Sequence, residues 1–205
     1  MKVEEFLRFA GEFDRRHQLV NGKPVHEWDT IALRRTIGYA IQQVGLFPHW
    51  TVARNVGVLP ELEGWPRKDI DERIDELLTL VALDPGLMRI RYPRELSGGQ
   101  AQRVGVARAL ALKPSVLLLD EPFGALDPLS RARLQEELLR ILEEVETTTL
   151  FVTHNLTEAF RLGHRIAVLA DGRLEQIGSP QDLVNDPTSP FLKQLLEAEL
   201  LQVRK

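Results

Sequence analysis

Cysteine is absent from all 205 residues, and methionine and tyrosine occur only twice each. Without thiols there is no disulfide and no thiolate metal site, which fits a reducing compartment. No apolar run approaches the ~20 residues that a bilayer-spanning helix needs. The N-terminus, Met1-Lys2-Val3-Glu4-Glu5, is acidic and lacks the apolar centre of a signal peptide. A basic excess is missing too: 26 Lys and Arg face 30 Asp and Glu, a net charge of −4. No overall field therefore draws the chain to nucleic acid. These absences lead us to expect a cytoplasmic protein that meets a membrane only through a partner. What is present is globular in kind, 43% hydrophobic and 27% charged with no low-complexity tract. That is enough chain for one domain with a real core.

The periodicities predict an alternation of strands and helices. Val3, Phe6, Leu7, Ala10 and Phe13 recur at helical spacing, so residues 3–17 read as a short amphipathic helix. Leu19-Val20 and Val25 flank Asn21-Gly22, a hairpin signal. Residues 36–41 are a short apolar run suited to a buried strand, and 42–51 a loop. A helix is predicted over 66–80, with Pro66 in its first turn. Another should begin at Gly98–Gln100 and end before Pro114. Strands at 116–119 and 148–153 enclose a long helix at 129–145. After a short helix at 156–162, strands 166–170 and 173–177 pair across Asp171-Gly172, and helices at 180–185 and 190–202 close the chain. Such alternation predicts an α/β fold with a parallel sheet, interrupted by a helical insert.

Two strings carry chemistry. In Leu96-Ser97-Gly98-Gly99-Gln100 the glycines let backbone N–H groups approach a phosphate, and Ser97 adds a hydroxyl. The helix beginning there points its positive end at the anion. A bare glycine-rich helix cap is the plain alternative, but this pentapeptide arises by chance in on the order of one chain in thousands. In Val116-Leu117-Leu118-Leu119-Asp120-Glu121 an apolar strand delivers two carboxylates to its C-terminal end, where open α/β sheets bind ligands. Asp120 can hold Mg²⁺ through water, and Glu121 can polarise an attacking water.

With Gly124-Ala125-Leu126-Asp127 behind the second string, residues 19–195 resemble the ATPase subunits of ABC importers. The likeness is to the osmoprotectant group, which takes up glycine betaine, choline, carnitine or proline. It rests on Leu33-Arg34-Arg35-Thr36-Ile37-Gly38-Tyr39 and Ile41-Gln42-Gln43-Val44-Gly45-Leu46-Phe47-Pro48-His49. The resemblance implies a partial P-loop NTPase core at 19–43 and 113–205, a helical signature subdomain at 44–112, and an atypical N-terminal helix at 1–18. It implies ATP and Mg²⁺ as the bound species. Ser97, Gly98, Gly99 and Gln100 would meet the γ-phosphate of ATP held by a second ATPase subunit in a homo- or heterodimer. Asp120 would serve Mg²⁺, Glu121 would be the general base, His154 the switch histidine, and Asp127 the contact across the dimer. Gln42 would help place Mg²⁺ and water, with Gln43 beside it leaving the register open by one residue. Phe47–Trp50 would meet the transmembrane permease subunits, so the chain would sit on the inner face of the plasma membrane. No nucleic-acid partner is implied. In DNA-maintenance ATPases long heptads precede the signature string, whereas only about fifty residues separate Gln42 from Ser97.

The family's phosphate loop, G-x-x-x-x-G-K-[ST], does not occur in these 205 residues. The single Gly-Lys pair, Gly22-Lys23, is followed by Pro24 and belongs to the hairpin. Three origins are open: a subunit that completes a site in trans, a shortened gene product or displaced start, and a non-catalytic assembly protein. Charge-assisted hydrogen bonds contribute about 1.5–3 kcal/mol each. Losing a lysine and two or three backbone donors should weaken ATP binding by roughly 5 kcal/mol, about a thousandfold or more. The chain alone should therefore hydrolyse MgATP no faster than its Glu121→Gln variant, as a phosphate-release assay of the two would show.

Overall fold

A computed structural model describes residues 19–41, 45–123, 128–145 and 147–203. The helix expected over 3–17 lies outside the described residues. The chain divides into two compact units, one within Arg16–Leu150 and the other within Phe151–Lys205.

The first unit opens on strands β1 (Leu19–Val20) and β2 (Lys23–Pro24), antiparallel with Leu19 opposite Pro24. Between them Asn21 and Gly22 have φ of 52° and 74°. A two-residue I′ turn demands these values, and Asn-Gly adopts them at least cost. Asn21 Nδ2 donates to Ser115 Oγ at 3.0 Å, which ties the hairpin to a distant part of the chain. Helix α1 (Thr30–Arg35) follows. The Asp29 carboxylate caps it, accepting from Ile31 N at 3.0 Å and Ala32 N at 2.9 Å. Six residues are too few for an apolar period to stand out, so α1 is invisible to pattern reading.

Strands β3 (Ile37–Ala40) and β4 (Val116–Asp120) are parallel, in register from Ile37 opposite Val116 to Ala40 opposite Leu119. β5 (Thr148–Val152) completes the sheet in the order β3-β4-β5. Parallel neighbours need a long crossover. Between β3 and β4 the described residues form helices and turns alone: α2 (Val52–Leu62), α3 (Arg67–Leu80), one-turn α4 (Pro85–Met88), a 3-10 turn at Pro93–Glu95, and α5 (Gly98–Ala109). Pro66 stands at the N-cap of α3, one place before the predicted position. Val52, Val56, Ile70, Ile74, Leu77 and Leu78 are buried among these helices. Gly57 permits the close approach of α2 to α3: a Cβ there would lie 3.0 Å from Ile74 Cδ1.

Arg73 is buried with this apolar set. Its guanidinium donates to the carbonyls of Leu110 at 2.7 Å and Ala111 at 3.2 Å. These oxygens lie at the C-terminal end of α5, where a cation complements the helix dipole, and Leu110 O also accepts from Lys113 N at 3.0 Å. Helix α6 (Pro128–Glu144) turns Leu134, Leu138 and Ile141 inward, where they border a small apolar gap with Val106 and Phe123.

In the second unit helix α7 (Leu156–Leu162) precedes a hairpin of β6 (Ile166–Ala170) and β7 (Arg173–Gly178). Asp171 and Gly172, at φ 48° and 73°, repeat the turn chemistry of Asn21-Gly22. Helices α8 (Pro180–Asn185) and α9 (Pro190–Val203) follow. Ile166, Val168, Leu183 and Leu192 form this unit's core, with Ala159, Phe160 and Leu196 packed against it.

Gly38 sits where β3 meets the end of α5. A Cβ on it would lie 2.3 Å from the Ala109 carbonyl oxygen and 3.0 Å from Pro114 Cγ. Backbone cannot yield as a side-chain tip can, so Gly38→Ala should cost about 1–3 kcal/mol. Gly99→Ala, whose Cβ meets nothing within 4 Å, should leave stability nearly unchanged. Urea midpoints of the two variants provide the comparison.

Candidate functional site

The signature string takes its shape from a reciprocal cap. Ser97 is the N-cap of α5, and its Oγ accepts from Gln100 N at 3.3 Å. Gln100 Oε1 in turn accepts from Ser97 N at 3.0 Å. The N–H groups of Gly98 and Gly99, in the first helical turn, have no partner within the helix. Ser97 and Gly98 are exposed. With open space where a Gly99 Cβ would stand, an anion can reach the backbone of this turn. The 3-10 turn at Pro93–Glu95 leads into it, held by Glu95 Oε2 accepting from Tyr92 N at 2.7 Å.

Asp120 ends β4 and is buried. Glu121 follows with φ of 44°, in the left-handed region. A non-glycine residue held there is strained, and such strain gathers at functional sites. The reversal turns the chain sharply off the strand just where the second carboxylate is carried. Among the described residues no group of three or more His, Asp or Glu side chains gathers to hold a metal ion. A single carboxylate such as that of Asp120 suits a Mg²⁺ whose other ligands are phosphate oxygens and water, the usual preference of that ion.

His154 belongs to the second unit, where it is exposed immediately after β5. Its neighbours lock the turn that presents it. Thr153 Oγ1 donates to Glu158 Oε2 at 2.6 Å and accepts from Asn155 N at 3.0 Å. Asn155 Oδ1 caps α7 by accepting from Glu158 N at 3.1 Å. Glu158 is buried. Sequence reading passed over Glu158, although Asn followed three residues later by Glu is a helix-start signal.

Gln42, Gln43 and Asp127 lie outside the described residues. The loop from Gly45 to Trp50 is described, and one residue that sequence reading missed shapes it. Asn55, on α2, is fully buried. Its Oδ1 accepts from Phe47 N at 2.8 Å. Its Nδ2 donates to the carbonyls of Phe47 at 3.2 Å, Trp50 at 3.2 Å and Thr51 at 3.0 Å. The loop is thus wrapped round one amide. It presents Phe47 against Trp50, ring centroids 4.2 Å apart, with His49 5.6 Å from Trp50. Arg54 lies 4.5 Å over the Trp50 ring. Phe47 and His49 are exposed. The signal for Asn55 was present: an amide at an apolar position of an amphipathic helix must find partners.

The Gly22-Lys23 pair forms the β1–β2 turn and strand start, with the Lys23 ammonium 5.0 Å over the Trp28 ring.

The model of the ABC transporter family matches residues 9–124, starting ahead of Leu19. The glycine betaine uptake system ATP-binding protein of Escherichia coli is 48% identical over 198 residues, 97% of this chain and 60% of that protein. The choline transport ATP-binding protein of Bacillus subtilis is 46% identical over 182 residues, 89% of this chain and 48% of that protein. The chain therefore spans only about half the length of the curated relatives it matches. Among solved structures, an ATP-binding cassette in a dimeric post-hydrolysis state bound to ADP and Pi superposes with a TM-score of 0.68 at 30% identity, covering 87% of this chain and 80% of that one. A Clostridium perfringens protein, part of an ABC transporter complex, gives 0.74 at 25% identity, covering 87% and 75%.

Asn55→Asp tests the loop's dependence on one side chain. It keeps the acceptor for Phe47 N but sets a carboxylate against three carbonyl oxygens. A loss of about 3 kcal/mol or more is expected. Urea unfolding followed by tryptophan emission reports it.

Proposed function

The chain belongs to the ABC transporter family, and on that premise we propose that it is the ATP-binding subunit of an importer for quaternary-amine osmoprotectants. In this reading it couples ATP binding and hydrolysis to solute uptake through transmembrane permease subunits. The observation that carries it is the capped, glycine-led start of α5 at Ser97–Gln100, together with the Asp120-Glu121 pair at the C-terminal end of β4. The solute class rests on the two relatives above, whose names concern glycine betaine and choline. The protein would lie against the inner face of the plasma membrane through its permease partners. No helix among the described residues is long and apolar enough to cross the membrane itself.

The division of labour follows from the chemistry of each residue. The Ser97 hydroxyl and the first-turn N–H groups of α5 would bind the γ-phosphate, and no positive side chain is needed where a helix dipole already points. Asp120 would hold Mg²⁺, which when bound neutralises charge on the β- and γ-phosphates. Glu121 would accept a proton from the attacking water. His154 would contact the γ-phosphate, in a turn that Glu158 keeps in shape. Gln42 and Asp127 would place the water and contact the opposing subunit. The exposed Phe47-to-Trp50 rings would meet the permease.

A second form of the proposal, action in trans, can be tested on this chain of 205 residues as it stands. Its α5 would close over ATP gripped by the loop of an intact homologous subunit. Calorimetry of the chain with ATP and Mg²⁺ should show no binding up to millimolar. Mixing with the intact homologue should give ATP-dependent heterodimers on size exclusion. A Ser97→Arg substitution here should abolish them while leaving the melting temperature within a few degrees. Heterodimers that form equally without nucleotide would count against the proposal.

A further inference from the structure

The aromatic loop is anchored at two points, and the second lies on the helix that carries the signature string. Arg108, near the C-terminal end of α5, reaches across 63 residues of chain to donate from Nη1 to the Gly45 carbonyl at 2.9 Å. The same guanidinium stands 5.9 Å from the centroid of the Phe47 ring. Gly45 has φ of 55°, which glycine adopts without strain. Arg108 is itself half-buried, and burial lowers its pKa from the ordinary value. A partly desolvated cation is costly unless its surroundings answer the charge. Here a carbonyl dipole and an aromatic face both do so, and both belong to the loop.

We propose that Arg108 is a positioning residue that makes the Gly45–Trp50 loop and helix α5 a single mechanical body. Asn55 gives the loop its internal shape, while Arg108 fixes where that shape sits relative to α5. From Ser97 to Arg108 is 11 residue steps of nearly continuous helix, about 16 Å at 1.5 Å per residue. A helix of that length transmits displacement instead of absorbing it. Movement of the Gly45 carbonyl and Phe47 ring at one end is therefore felt at the Ser97 turn at the other, and the converse holds by linkage. α2 also packs on α5 and holds Phe47 through Asn55; Arg108 adds a direct tie from α5 to the Gly45 carbonyl. The inference rests on the ATP-binding reading above, since it concerns how the phosphate-facing turn answers to the partner-facing loop.

The test uses Trp50 as reporter. The chain has three tryptophans, so Trp28→Phe and Trp65→Phe leave Trp50 alone, beside Phe47 in the loop. An intact homologous ATP-binding subunit, loaded with a non-hydrolysable ATP analogue and Mg²⁺, is added, and complex formation is followed by size exclusion. In the parent, formation of the complex should shift Trp50 emission. Arg108→Gln should form the complex yet lose more than half of that shift. Arg108→Lys, which keeps the charge but not the planar fork, should fall between them. A full shift in Arg108→Gln overturns the proposal. Should that variant fail to fold, a full shift in Arg108→Lys overturns it equally. A parent complex without any shift shows that the loop does not sense the signature turn, and overturns the relay while leaving the trans reading intact. If no complex forms, the trans reading fails and takes the relay with it.

Discussion

The architecture of the first unit depends on the meeting of β3 with the end of α5. Gly38, Ala109 and Pro114 are packed so closely there that no side chain fits on the strand. That contact decides how far α5 can slide along the sheet, and hence where its N-terminal turn stands. The parallel register of β3 with β4 then aligns Ala40 with Leu119 and sends both strands toward one edge. Asp120 and Glu121 are at that edge because the strand ends there. Arg73 secures the same junction from the helical side, holding the carbonyls at Leu110 and Ala111. Removing its guanidinium would take one donor from each carbonyl, leaving Leu110 O with Lys113 N at 3.0 Å.

Three polar side chains carry much of the local order, each by holding an irregular stretch of chain. Asn55 collects one N–H and three carbonyls of the aromatic loop. Arg73 collects the open end of α5. Glu158, with Thr153 and Asn155, closes the turn bearing His154. Irregular backbone near a ligand site cannot be satisfied by sheet or helix ladders, so side chains must do it. Such residues specify geometry more than they add stability, because their own burial costs most of what the hydrogen bonds return.

Much of the fold was legible because its signals are strong over short spans. Asn21-Gly22 and Asp171-Gly172 marked their hairpins, the Val116–Leu119 run marked a buried strand, and the apolar period over 66–80 marked α3. The missed elements are weak for identifiable reasons. α1 is too short to show a period and rests on the Asp29 cap. In α2 Asn55 breaks the apolar face, and Pro60, inside the helix, reads as a stop. At the site, the signature string and the carboxylate pair were visible as motifs. Asn55 and Glu158 left only local signals that a motif search passes over, and Arg108 acts on backbone reached only in the folded chain. For Arg108 the separation is 63 residues, beyond any local pattern.

The cap at Ser97 has a consequence for what its turn can recognise. A serine hydroxyl offers one hydrogen and two lone pairs. Here a lone pair is committed inward, to Gln100 N, which leaves the hydrogen free to turn outward beside the amide hydrogens of Gly98 and Gly99. The head of the helix thus presents mainly donors, with one hydroxyl lone pair remaining. Such a surface suits oxygen atoms that carry lone pairs better than it suits ammonium or amide hydrogens. Because Ser97 and Gln100 hold each other in this arrangement, a ligand meeting the turn would need little further ordering of it, and the entropy lost would be correspondingly small.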